Sequence, residues 1–184
     1  MNYHLFQLVN AAAGRNDSVD DVMEWLAVWL IYVLGGLTVV PLLLGLKSRG
    51  RSPVVCVVVS LALAFAIGQL VAAASTEVRP FQTHRVHQLI PHDAGASLPS
   101  DHATAAFAVA FAIGVFLSWR WGVALSVLAT VIGFARVWTG VHYPADIVAG
   151  VVIGAVAVLI AAFGGRAFDR RSHRRGSGIA VGSR

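Results

Sequence analysis

Long runs of apolar residues, separated by short polar stretches, divide most of the chain into five segments. Two charge-free runs, 25–46 and 53–75, contain 22 and 23 residues, and a third, 147–165, contains 19. Each is long enough to cross a bilayer as an α-helix, which takes about 20 apolar residues. Shorter runs of 16 and 15 residues lie between them at 103–118 and 121–135. The pattern predicts an all-α fold, an integral membrane helical bundle with about five transmembrane helices.

The polar ends of the chain predict two further segments. Residues 1–21 begin with a weakly amphipathic stretch, which predicts an N-terminal helix lying on the outer membrane interface. Asp17 or Ser18 is expected to cap the first membrane span. Residues 22–165 then form one transmembrane bundle, and the Arg-rich residues 166–184 are expected to be a disordered cytoplasmic tail that contacts anionic lipid headgroups.

Composition agrees with a membrane protein, and the charge distribution predicts its orientation. Hydrophobic residues make up 57% of the chain and charged residues only 12%, whereas about a quarter of the residues in soluble domains are charged. Ten of the fourteen Lys and Arg residues fall on one side of a five-span topology, and eight of the nine acidic residues fall on the other. The positive-inside rule then places the loop 76–102 outside the cell membrane. This sorting accounts for a pI near 10.3 without a nucleic-acid partner.

Three polar clusters fall on the outer side of this topology. They are Val-Arg-Pro-Phe at 78–81, Pro-Ser-Asp-His at 99–102, and a longer cluster at 136–146. In the second cluster, Ser100 is a good N-cap for a helix that begins at Asp101, and the free N–H groups of a first helical turn suit a phosphate. The alternative is a plain helix cap, although a cap has no need of the imidazole of His102.

The third cluster places a histidine and a carboxylate around the start of another helix. Pro144 suits the first helical position, so Asp146 can fold back towards His142. A carboxylate on one imidazole nitrogen fixes the tautomer and leaves the other nitrogen free as nucleophile or base. A capping carboxylate beside an interfacial histidine is the alternative. Arg79 and Arg136 are either snorkelling anchors at the membrane edge or, together, a phosphate cradle.

Helix length places these side chains at the depth of lipid headgroups. Helices of 16 and 15 residues reach about 24 and 22 Å, short of a hydrocarbon core of roughly 30 Å. His102 and Arg136 are therefore expected at or slightly below the outer headgroup level, which favours a lipid phosphate as substrate over a soluble one.

Three more histidines, His84, His87 and His92, lie in the outer loop. Their spacing leaves three alternatives open: a zinc site, recognition of a diphosphate, or a structural role in ordering the loop.

The three clusters together resemble the type 2 phosphatidic acid phosphatase superfamily, whose pattern is K-x6-R-P, then P-S-G-H, then S-R-x5-H-x3-D. Ala72 stands at the lysine position, Asp101 at the glycine and Ala135 at the first serine. The stretches RPFQTHRVHQLIPH and SLPSDHAT are similar to one subgroup, the bacitracin-resistance type undecaprenyl-pyrophosphate phosphatases. In that subgroup P-S-D-H is usual and the lysine is not kept.

The resemblance implies a role for each matching residue. His142 is implied as the nucleophile that becomes phosphorylated, Asp146 as the residue that orients and activates it, and His102 as the general acid. The residues implied to bind phosphate are Arg79, Ser100, Arg136 and, with the backbone around it, Asp101. The superfamily chemistry implies neither a metal nor a cofactor.

The implied function is hydrolysis of undecaprenyl pyrophosphate to undecaprenyl phosphate and inorganic phosphate at the outer face of the bacterial inner membrane. The partners are then a polyprenyl pyrophosphate lipid and the surrounding membrane lipids. One alternative is a phosphatase acting on phosphatidic acid or phosphatidylglycerol phosphate. A protein that binds or transports a lipid phosphate without cleaving it is an alternative of another class. Vanadium haloperoxidases share the implied site residues, but five membrane spans argue against one.

Overall fold

The fold consists of seven helices, seen in a computed structural model that describes the backbone of residues 2–179 and the side chains of residues 2–165. Helix accounts for 78% of the structure. In the described part of the chain the extended pairing is a single isolated antiparallel bridge, Val78 with Ala96. The helices are α1 (Asn2–Asn10), α2 (Asp17–Arg49), α3 (Arg51–Ala74), α4 (Pro80–Thr83), α5 (Asp101–Phe116), α6 (Trp119–Trp138) and α7 (Pro144–Ile179).

The predicted fold class, an all-α membrane bundle, is confirmed. The helices α2, α3, α6 and the Pro144–Gly165 part of α7 are each long and apolar enough to cross a membrane. The fifth apolar helix, α5, has 16 residues and is short, as its sequence predicts. The prediction of a second short helix at 121–135 was wrong: α6 has 20 residues and is long enough to span, because the polar residues that flank the apolar run are helical too. The N-cap prediction for α2 was wrong by one residue. Asn16 is the cap, because its side-chain oxygen accepts a hydrogen bond from the backbone N–H of Val19.

Small residues allow α5 to pack closely against its neighbours at the centre of the bundle. On α7, Gly150 and Gly154 lie so close to α5 that an added Cβ would stand 2.8 Å from the backbone nitrogens of Thr104 and Ala108. Close helix approach through small residues is typical of membrane helices. The packing fixes the first turn of α5 beside the start of α7, which brings the second and third polar clusters together.

The N-terminal helix α1 packs over the same end of the bundle. Phe6 is buried in a cluster with Val137, at the end of α6, and Tyr143, just before α7. Buried Asn10 donates to the backbone oxygens of His87 and Trp138, each at 2.8 Å, and accepts from the N–H of His87. This side chain therefore joins the outer loop to the end of α6.

At the opposite end, α7 extends as a helix from Pro144 to Ile179 and so continues past Gly165, where the sequence placed the end of the last span. Residues 180–184 lie outside the described residues. The division into an interfacial segment (1–21), a bundle (22–165) and a disordered cytoplasmic tail (166–184) stays a prediction.

Candidate functional site

The three polar clusters meet at one end of the bundle. Arg79 caps α4, Ser100 caps α5, Arg136 lies in the last turn of α6, and His142 and Asp146 flank the start of α7. All of these elements end or begin on the side opposite the basic loops at Lys47–Arg51 and Arg120. The site is therefore assembled from residues far apart in sequence but at one end of the fold.

A buried histidine–carboxylate pair forms the centre of the site. His142 and Asp146 are only 2% and 0% exposed, and Nδ1 of the imidazole lies 3.2 Å from Oδ2 of the carboxylate. The same Oδ2 accepts from the backbone N–H of Tyr143 at 2.7 Å and from the hydroxyl of Ser97 at 2.6 Å. These donors hold the carboxylate in place, so it orients the imidazole.

The contacts of His142 determine its tautomer. A guanidinium nitrogen of Arg79, Nη1, lies 3.0 Å from Nε2 of His142, and a guanidinium can only donate. The ring proton must therefore be on Nδ1, where Asp146 accepts it, and Nε2 is unprotonated, with a lone pair that accepts from Arg79. Burial, together with the charges of Arg136 and Arg79, lowers the pKa of His142 to about 4, although the hydrogen bond that Nδ1–H donates to Asp146 opposes this shift. The imidazole is neutral at pH 7 and has the form that a nucleophile requires.

The two arginines present hydrogen-bond donors that the described residues leave unpaired. Arg136 is 3% exposed; its Nη1 donates to the backbone oxygen of Ala27 at 3.4 Å, whereas its Nε and Nη2 have no partner. Nε of Arg79 is likewise buried without a partner. Buried donors are nearly always satisfied in folded proteins. Guanidinium groups match phosphate oxygens in geometry and charge, so an anion such as phosphate would satisfy these donors.

The first turn of α5 adds further donors. Ser100 is fully buried, and its hydroxyl oxygen accepts from the N–H of Ala103 at 3.4 Å, as predicted for an N-cap. The preceding amides, of Asp101 and His102, come before the first i→i−4 bond of the helix and lack a helical partner. The Asp101 side chain itself is exposed and borders a groove between α3 and α5. An anion bound at this turn would therefore meet the backbone N–H of Asp101 and not its carboxylate.

Three histidines of the outer loop and one on α5 divide into two groups by what surrounds their rings. His102 is partly buried, and the titratable groups around it are Arg136, His142, His92 and Arg79. His92 lies beside His142, with ring centroids 6.0 Å apart and planes nearly perpendicular.

The remaining two histidines have other surroundings: His84 stacks on Tyr3 at 3.8 Å between centroids, and the ring of His87 lies against Gly14. Within the described residues, no three His, Cys, Asp or Glu side chains group as metal ligands would. The histidines of the outer loop therefore do not form one ligand set.

Two positioning contacts were missed by the sequence interpretation. Ser97 looks in the sequence like an ordinary loop serine, yet its side chain is buried against Asp146. Its backbone N–H donates to the backbone oxygen of Glu77 at 2.8 Å, next to the Val78–Ala96 bridge. Asn10 lies in a segment expected only to cover the membrane surface. Neither residue carries a local signal, because the partner of each lies far away in sequence.

Comparison with known proteins agrees with this geometry. Residues 53–166 match the family model of the PAP2 superfamily. Undecaprenyl-diphosphatase BcrC of Bacillus subtilis (strain 168) is 31% identical over 156 residues, which cover 85% of this chain and 80% of that protein. The bacitracin transport permease protein BcrC of Bacillus licheniformis is 31% identical over 163 residues, covering 86% and 78%. The crystal structure of Aquifex aeolicus LpxE has a TM-score of 0.69 at 25% identity, covering 87% of this chain and 93% of that one.

Proposed function

This chain belongs to the PAP2 superfamily of phosphatases, and we propose that it removes the terminal phosphate of undecaprenyl pyrophosphate at the outer face of the bacterial inner membrane. The products are undecaprenyl phosphate and inorganic phosphate. The substrate assignment is supported by the name of the Bacillus subtilis relative and by the resemblance of the outer loop to that subgroup.

One observation carries the proposal of phosphoryl chemistry. A neutral imidazole, unprotonated at Nε2, accepts from Nη1 of Arg79 and lies among buried guanidinium nitrogens of Arg79 and Arg136 that have no partner. Nη1 of Arg79 must exchange Nε2 for a phosphate oxygen before Nε2 can attack. The arginines can hold the oxygens of a phosphate whose phosphorus faces Nε2. Binding of an anion alone would need the arginines but not the His142–Asp146 pair.

The proposed reaction has two steps. Nε2 of His142 attacks the terminal phosphorus, the bond from phosphorus to the bridging oxygen breaks, and His102 donates a proton to the departing lipid phosphate. Water then attacks the phosphohistidine, His102 accepts a proton from that water, and inorganic phosphate leaves while Nε2 regains its lone pair. Arg79, Arg136 and the first turn of α5 stabilise the charge on the three equatorial oxygens in both steps.

The position of the site along the bundle supports a lipid substrate. The 16 residues of α5 span about 24 Å, less than the roughly 30 Å of a hydrocarbon core. Its first turn, with Ser100 and His102, therefore lies near the headgroups on one side of the membrane. The excess of basic residues at the opposite end supports an outward-facing site by the positive-inside rule.

Turnover by the purified protein in detergent, with excess EDTA, tests the proposal. We expect phosphate release from undecaprenyl pyrophosphate with a higher kcat/KM than from phosphatidic acid. His142→Ala should abolish release and also abolish a phosphoenzyme trapped by acid quench. The matched control is His87→Ala, which changes an exposed outer-loop histidine whose ring lies against Gly14 and should retain activity.

Three results would contradict parts of the proposal. Preference for phosphatidic acid would refute the substrate assignment while leaving the chemistry intact. Tight binding of the lipid without phosphate release would favour a binding or transport protein, the class that the Bacillus licheniformis relative's name suggests for that protein. Loss of activity in EDTA with recovery on adding zinc would refute the metal-free mechanism.

A further inference from the structure

Of the three outer-loop histidines, His92 has surroundings that suit contact with substrate. It is partly buried, its ring lies edge-on to His142 with 6.0 Å between centroids, and its Nδ1 lies 3.3 Å from the backbone oxygen of Asp93. Because a carbonyl oxygen only accepts, that nitrogen carries the proton. Among the described residues, the other nitrogen, Nε2, has no hydrogen-bond partner.

The distance between the two rings indicates which part of a substrate His92 can reach. A phosphorus atom in position for attack lies about 3 Å from Nε2 of His142. A ring beside His142 can then reach the oxygens around that phosphorus, whereas the leaving oxygen lies on the far side of the phosphorus, away from His142. His92 is therefore placed to contact the phosphate being transferred, and it does not duplicate the role proposed for His102.

The positive charge of the two arginines does not balance the negative charge of a bound phosphate and the nearby carboxylates. Arg79 and Arg136 supply two positive charges, but the carboxylates of Asp146, Asp101 and Asp93 all act on Arg79. The terminal phosphate of a diphosphate carries up to two negative charges near pH 7, since its second pKa is about 6. His142 has to stay neutral to attack, so it cannot supply the missing charge.

On this basis, and resting on the proposed phosphatase function, we propose that His92 binds an oxygen of the transferred phosphate as an imidazolium and adds a positive charge to those of Arg79 and Arg136 around that phosphate. It takes up its proton from water when the substrate binds, and releases it when inorganic phosphate leaves. His84 and His87 have no part in this contact.

The electrostatics of the empty site agree with uptake of a proton on binding. Burial lowers the pKa of His92, and the charges of Arg79 and Arg136 lower it further, while Asp93 opposes them. The other titratable groups facing it are His102, on α5, and His142, before α7. A bound phosphate dianion offsets both arginines and adds its own attraction, so the proton is favoured in the complex.

Exchange of His92 for a neutral and for a permanently charged residue tests the proposal. His92→Gln should lower kcat/KM about 10- to 100-fold at pH 6.5, the loss expected for a hydrogen bond to a charged group. The loss should shrink as pH rises, because the wild type itself then loses the proton. His92→Lys should retain most of the activity, and its kcat/KM relative to wild type should increase from pH 6.5 to 8.5. When the kcat/KM of a variant is divided by that of the wild type at the same pH, the effect of substrate ionisation cancels.

Matched control variants and a measurement of phosphate affinity separate a specific effect of His92 from a general disturbance of the loop. His84→Gln and His87→Gln change the same loop and should leave kcat/KM and its pH profile at wild-type values. The affinity for inorganic phosphate, measured by calorimetry, should fall in His92→Gln and be restored in His92→Lys. This measurement does not depend on which lipid is the substrate, so it separates failure of this proposal from failure of the proposed function. Equal losses in the Gln and Lys variants, or no loss in either, would overturn the role of His92.

Discussion

Replacing Asp146 with asparagine tests how His142 is held, because the change keeps the shape of the side chain while it removes the negative charge and alters the hydrogen bonding. In the native protein three donors converge on Oδ2 of Asp146, from His142, Tyr143 and Ser97, whereas Oδ1 is buried without a partner. An asparagine has one oxygen and one NH₂ group for these two positions. Neither orientation of the amide satisfies the site.

If the amide oxygen takes the Oδ2 position, the NH₂ group is buried without an acceptor, at a cost of about 1–3 kcal/mol. If the amide is flipped, its NH₂ group faces the donors of Tyr143 and Ser97, and His142 must accept at Nδ1. The ring proton then moves to Nε2, where it meets the donating Nη1 of Arg79. The nucleophilic lone pair is lost, and the corresponding change in the His–Asp pair of serine proteases lowers kcat about 10⁴-fold.

The expected result is therefore a fall in kcat of about 10³- to 10⁴-fold for Asp146→Asn, measured by phosphate release from undecaprenyl pyrophosphate. Thermal unfolding in detergent shows whether the protein remains folded, and Asp21→Asn is the control for an exposed carboxylate. Ser97→Ala removes one of the three donors and should lower kcat only about tenfold. A folded Asp146→Asn protein with less than a tenfold loss would refute the orienting role of the carboxylate.

Three other predictions concern pH, the leaving group and orientation. Since His142 must be neutral and burial lowers its pKa to about 4, kcat/KM should show no loss from its protonation above about pH 5 and fall tenfold per unit below pH 4; a loss of phosphate release on acidification near pH 6.5 that remains after the ionisation of the substrate is accounted for would contradict a buried nucleophile. His102→Ala should cost distinctly more on phosphatidic acid, whose leaving alkoxide resembles water with a pKa of about 15.7, than on undecaprenyl pyrophosphate, whose leaving phosphate has a second pKa of about 6. Equal losses in kcat would remove the general-acid role. Single cysteines placed in residues 84–95 of a Cys56→Ala protein should react with an impermeant thiol reagent on intact spheroplasts, and labelling only after lysis would reverse the topology.

The sequence by itself predicted the five apolar helices, the N-terminal helix and the residues of the three clusters, but not the short helix α4. Membrane helices can be found from sequence because a bilayer requires about 20 apolar residues in each span, a local property of composition. The short α5 was predicted for the same reason. His142 and Asp146 lie four residues apart around the start of one helix, so their contact follows from local geometry.

Only the tertiary structure decided which groups surround that pair. The contact of Arg79 with Nε2 of His142 joins residues 63 positions apart, and the bond from Ser97 to Asp146 joins residues 49 apart. The same holds for His92, which lies beside His142 although His84 and His87 look equivalent in sequence. Such contacts depend on the close packing of α5 against α7, which small residues allow, and on the hydrogen bonds by which α1 holds the outer loop. Packing between distant segments is not encoded in any local pattern, and it therefore had to be seen in the folded chain.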